Sequence, residues 1–158
     1  MKKAFLAAMA NDKKILKQFV ERMSEAELKR RIKDYWTLYE HLDHLVLTQK
    51  MLLERIKTFI REENPVIKPY VPDEKPAVGD AEKTAADLVA EFRRLRDKQI
   101  RLVKDAKKDV WEKKGRHDEY VAYTFEILLR HIILHDSYHM SRMEELWIMK
   151  EEFIKELK

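Results

Sequence analysis

Apolar residues recur along this chain in the alternating steps of three and four that mark one buried face of an α-helix. Phe5, Met9, Ile15, Leu16, Phe19 and Val20 trace such a stripe and predict a first helix from Lys2 to about Arg22. Leu38, Leu42, Leu45, Gln49, Leu52, Ile56 and Phe59 predict a second, from Thr37 to about Glu62. Ala81, Ala85, Leu88, Phe92, Leu95, Gln99, Leu102 and Ala106 carry the seam through a third, ending near Asp109. Tyr120 to Phe153 is again rich in Leu, Ile, Met and aromatics at helical period. It predicts a fourth helix from about Glu119, capped by Asp118, with no Gly or Pro to stop it before the C-terminus. Ser24-Glu25-Ala26-Glu27 has a capping-box pattern and opens a short helical turn through Arg31. Trp111 to Asp118, which contains Gly115, reads as a turn.

The segment Asn64 to Asp80 holds all four prolines and one of the two glycines. It cannot be helical and is long for a bundle connection. Asp80 or Thr84 can cap the helix that follows. Four long helices in one unit, residues 1–158, make an all-α four-helix bundle the expected architecture.

Histidine positions choose the topology. His44 lies about 10 Å into the second helix, and His135 and His139 lie roughly 24–30 Å into the fourth at 1.5 Å per residue. They come level only if those two helices are antiparallel, which makes the second and third parallel. A parallel pair needs a connection that traverses the bundle, about 40 Å. The proline-rich segment, extended, covers roughly 50 Å. The expected order is therefore up-down-down-up, with a crossover between helices two and three.

Composition narrows the chemistry. There is no Cys, which removes disulfides, thiolate ligands and a protein-thiol nucleophile. The net charge of +4 is a mild basic excess among many acids. The basic stretch Arg93 to Asp109 reads as a solvated helix face rather than a nucleic-acid module. No apolar run reaches the ~20 residues needed to span a membrane. The short apolar part of the N-terminus, Ala4 to Ala10, reads as helix rather than leader, so a cytoplasmic protein is expected. Heavy use of Lys, Glu and Arg suits a heat-adapted source.

His131, His135 and His139 stand four apart and so form a column on one helix face. Imidazoles along an apolar face need partners, and one divalent cation can satisfy several at once.

Trp36-Thr-Leu-Tyr-Glu-His-Leu-Asp-His44-Leu together with His135-Asp-Ser-Tyr-His139 resembles the motifs of the DinB-like (YfiT-like) metalloproteins. In that family a Trp and a small polar residue precede the first histidine ligand by eight positions, and a His-acidic-x-x-His motif follows on the fourth helix. The resemblance covers the chain in length, helix order and crossover. It implies a three-histidine site at His44, His135 and His139 for one divalent metal, commonly nickel, zinc or iron, with open positions for water or substrate. It also implies a homodimer, and activities that include transfer or isomerisation with a low-molecular-weight thiol. His41, His131 and Asp136 are then neighbours that could orient the ligands.

A small-molecule transferase or hydrolase is thus the expected function, against a non-catalytic stress or interaction protein with the same bundle. The His135-Asp-x-x-His139 pattern differs from the zinc-peptidase motif by having Asp136 where that chemistry needs a Glu base. A di-iron site lacks its complementary carboxylates. Ser137 points off the ligand face and makes a poor nucleophile.

Overall fold

A computed structural model describes residues 1–69 and 83–155. Its elements run α1 (Lys2–Val20), α2 (Glu25–Lys29), α3 (Leu38–Arg61), α4 (Ala85–Asp105), α5 (Lys108–Glu112), β1 (Lys114–His117), β2 (Tyr120–Thr124) and α6 (Phe125–Ile148). A single 3-10 turn, Glu151–Phe153, follows. The starts of α2, α3 and α4 are set locally. Ser24, Thr37 and Thr84 each accept a bond from the backbone N–H three residues on, and Glu27, Glu40 and Asp87 each return one. Of the two caps considered for α4, Thr84 does the work; Asp80 lies outside the described residues, as does Ala81.

The bundle is up-down-down-up. α3 and α4 run parallel: the Tyr39 hydroxyl donates to the Lys83 carbonyl at their starts (2.6 Å), and Lys113 donates to the Phe59 carbonyl beyond their ends (2.9 Å). α6 runs antiparallel to α3, with His41 level with His139 and His44 level with His135. α1 is antiparallel to α4, its Lys2 donating to the Ala106 carbonyl (3.0 Å) and its Lys13 pairing with Asp97. Parallel neighbours joined in sequence require the crossover that starts at Asn64.

Two apolar clusters fill the interior. One, around Leu16, Leu42, Leu45, Phe92 and Met143, lies toward the histidine end. The other, around Met9, Ile56, Phe59, Phe125 and Leu128, lies toward the opposite end. A buried polar group spans the helices between them: Asp12, Gln49, Arg96, Gln99 and Asp136. Arg96 donates to Gln49 (2.8 Å) and pairs with Asp136, while Gln99 donates to Gln49 (2.9 Å). This explains why glutamines occupy two positions of otherwise apolar seams.

Three expectations are corrected. The third long helix stops at Asp105, and a separate turn of helix, α5, follows. The turn at 111–118 and the expected start of the fourth helix are in fact a β-hairpin. Asp118 sits in its bend, and the helix begins six residues later under a Thr124 cap. Tyr120-Val-Ala-Tyr-Thr is β-branched and aromatic, a composition that favours a pleated strand once a partner strand is beside it. The last helix also ends, at Ile148, where Met149 leaves helical geometry, rather than continuing to the C-terminus.

The hairpin is clamped to the bundle at Gly115. A Cβ there would lie 2.8 Å from the tip of the Phe59 ring and 3.1 Å from the Pro65 carbonyl oxygen. Phe59 is fully buried, and Pro65 accepts the Arg116 N–H at 2.8 Å, so neither yields freely. Gly115→Ala is expected to destabilise by about 1–3 kcal/mol, as overpacking does. Urea denaturation measures it, and an unchanged midpoint would show that the hairpin shifts without cost.

Candidate metal centre

Three side chains meet where α3 and α6 face each other. The nearest ring nitrogens of His44, His135 and His139 all lie within 4.8 Å of one another. Nε2 of His44 is 3.2 Å from Nε2 of His135. Two ligand nitrogens on a tetrahedral ion, each about 2.0–2.1 Å from it, sit about 3.3 Å apart. The observed spacing is that of one edge of such a polyhedron. Three imidazoles are a donor set suited to a borderline divalent cation.

The sequence places these groups by simple steps. Thr37 caps α3, so His41 and His44 fall in its first two turns. Trp36, just before the cap, lies against the site, near-parallel to the His139 ring (centroids 6.1 Å apart, 17° between planes) and with its ring centroid 5.1 Å from that of His44. Lys33, in the bend leading to it, has φ of 49°. This bend is tied down by Arg31, which donates to the Tyr35 carbonyl (2.9 Å) and to Glu40 (2.6 Å).

Electrostatics keep the rings neutral. Burial, reinforced by the neighbouring His135, pushes the His44 pKa down to about 4. Burial and the surrounding imidazoles of His135, His44 and His41 push His139 to about 2. His41 falls to about 4 through burial, the Arg142 guanidinium and His44. A neutral ring keeps a lone pair for a ligand bond.

The other three residues singled out by sequence take different places. His41 Nδ1 lies 2.9 Å from His139 Nδ1, a bond that uses one nitrogen of His139 and leaves its Nε2 free of that contact. Asp136 is turned into the polar layer, bonded to Arg96 and Gln49, with its Oδ1 3.8 Å from His135 Nδ1. His131 bonds the Tyr123 hydroxyl (3.3 Å) and packs on Tyr120. Sequence reasoning did not reach Trp36 as a ring against the site, nor Arg142 and Tyr138. These last two join Asp34, Tyr35, Trp36, His41 and His139 around a cleft of about 440 Å³. Their signal was only positional: Tyr138 precedes His139, and Arg142 follows it by three.

Comparison with known proteins gives the family and the fold. The sequence profile of the DinB superfamily matches residues 11–143, and the chain belongs to that superfamily. Among solved structures it is similar to YfiT from Bacillus subtilis, described as a probable metal-dependent hydrolase with an unusual four-helix bundle topology. The TM-score is 0.76 at 21% identity, over 92% of this chain and 85% of that one. No curated protein matches the chain. Among the described residues no helix is long and apolar enough to cross a membrane.

Proposed function

We propose that His44, His135 and His139 hold one divalent ion, of nickel, zinc or iron, and that the protein is a metal-dependent enzyme acting on a small molecule. The reaction is a hydrolysis or the transfer of a low-molecular-weight thiol. The convergence of three imidazoles from two helices, two of them held neutral by burial, carries this reading. When bound, a metal with three protein ligands supplies Lewis acidity and lowers the pKa of a bound water or thiol toward neutrality.

The chain's own residues do the rest. With its pKa near 4, His41 is a weak base at neutral pH, so it serves as an orienting group. It accepts the Nδ1–H of His139 and thereby presents His139 Nε2 as a lone pair. Trp36 shields one side of His139 from water. The cleft beside it falls in the size range of small-molecule sites, about 300–1,000 Å³. Its aromatic walls and the Arg142 guanidinium suit a substrate with both apolar and polar parts.

The test is elemental analysis of protein purified without a histidine tag, followed by titration with each metal. About one equivalent bound is expected. A wild-type chain that neither carries nor takes up a metal would overturn the reading. His41→Ala is expected to keep the metal but weaken it by about 10–100-fold, the usual effect of removing a group that orients a ligand. Unchanged affinity would leave His41 without that role.

A further inference from the structure

One turn along α6 from His135, about 6 Å by helical rise, a second cluster of side chains gathers that the metal centre does not use. His131 from α6, His117 and Tyr120 from the hairpin and Tyr123 from β2 pack ring against ring, with centroids 4.8–5.5 Å apart. Arg55 of α3 lies beside the Tyr123 hydroxyl and donates to the Lys68 carbonyl at 2.8 Å.

The hydrogen-bond inventory of this cluster is lopsided. His117 Nδ1 accepts the Glu119 N–H (3.2 Å), which puts the ring proton on Nε2. The Tyr123 hydroxyl, which takes a hydrogen bond from Arg55, lies 3.3 Å from His131 Nδ1; when it gives its own proton to that nitrogen, His131 Nε2 is a donor as well. A guanidinium has five N–H donors, and the two neighbours of Arg55 occupy only part of them. Among the described residues no carboxylate pairs with Arg55, His117 or His131. Of the acids nearest in sequence, Glu54 pairs with Lys57 and Glu126 with Arg130, while Asp118 and Glu119 stand exposed in the hairpin bend. The neighbours that act electrostatically on His131 are His117, Arg55 and Arg130, none of them an acid. A half-buried group of donors around a fixed cation to which no described carboxylate is paired is complementary to an oxyanion.

We infer that Arg55, His117, Tyr120 and His131 form an oxyanion-binding site, for the carboxylate or phosphate of the substrate whose reacting end lies at the three-histidine centre. That an anion binds rests on this cluster alone, and its assignment to the substrate rests on the function proposed above. The hairpin supplies half of the site, which gives this otherwise isolated pair of strands a purpose.

The experiment titrates inorganic phosphate, and separately succinate, into the metal-loaded full chain and follows the thermal midpoint. A ligand that binds only the native state raises it with concentration. A saturable rise with either anion is expected, and whichever is effective names the source. Arg55→Gln and His131→Gln are each expected to weaken the response by about tenfold or more while metal content stays at the wild-type value. If Arg55→Gln does not fold, His131→Gln carries the comparison. No rise with either anion overturns the inference. So does a rise that both variants share with the wild type, since the anion would then sit on the metal centre. A wild-type chain that takes up no metal yet still responds through Arg55 would sink the proposed function and leave the oxyanion site standing.

Discussion

Replacing Arg96 with leucine is expected to cost about 3–5 kcal/mol of stability, the usual effect of removing one partner of a buried ion pair. Arg96 is fully buried and pairs with Asp136, which is 1% exposed. Its other side faces Asp12, with Nη1 4.0 Å from Oδ2. Burial and the neighbouring Asp136 push the Asp12 pKa up to about 6, and Arg96 is what opposes them. Without the guanidinium, two carboxylates share an uncompensated interior, and at least one must take up a proton. The loss should therefore be smaller at pH 5 than at pH 8. The double variant Arg96→Leu with Asp136→Asn should recover part of it, because the orphaned charge is gone. Denaturant titration of the three proteins reads this directly. A single variant that loses less than about 1 kcal/mol would mean that water reaches this layer and solvates the carboxylates.

His44→Ala and His139→Ala are each expected to lower metal affinity by more than about 100-fold, beyond the effect of an orienting group. Either change leaves two imidazoles, too few to hold an ion against water. Competition with a chromophoric chelator measures the affinity, and retention of wild-type binding by either variant would remove that residue from the ligand set. The same rings make the metal-free protein acid-sensitive. His41, His44 and His139 have folded pKa values of about 4, 4 and 2, against 6.5 when free. Below pH 6.5 the unfolded chain takes up protons that the folded chain refuses, so stability falls as the pH drops from 6.5 toward 4. Asp12 acts the other way, since its folded pKa is above its unfolded value and protonation there favours the folded state. Three imidazoles against one carboxylate leave the net slope positive with pH. A metal-free protein equally stable at pH 5 and pH 7 would contradict this.

Much of the bundle could be read from local pattern. A capping box involves residues three apart, and an amphipathic stripe involves residues three and four apart, so both are present in any short window of sequence. The crossover was legible because four prolines interrupt an otherwise helical chain, and because histidines on two helices align in only one topology. The hairpin was not legible. Its strands are four and five residues long and are held by pairing with each other and by the Val66–Arg116 bridge, contacts that neither strand encodes alone.

The sequence by itself determined the order and approximate extent of the long helices, the capping box at Ser24, and that histidines on two helices stand at one height. Each of these follows from backbone geometry within a turn or two of the residue concerned. Only the tertiary structure decided the partners. It paired Asp136 with Arg96, 40 positions earlier, set His41 against His139, and sent His131 to a hairpin tyrosine. Such choices depend on which faces meet across the bundle and on the cost of leaving a buried polar atom alone, and periodicity along one helix carries no information about either.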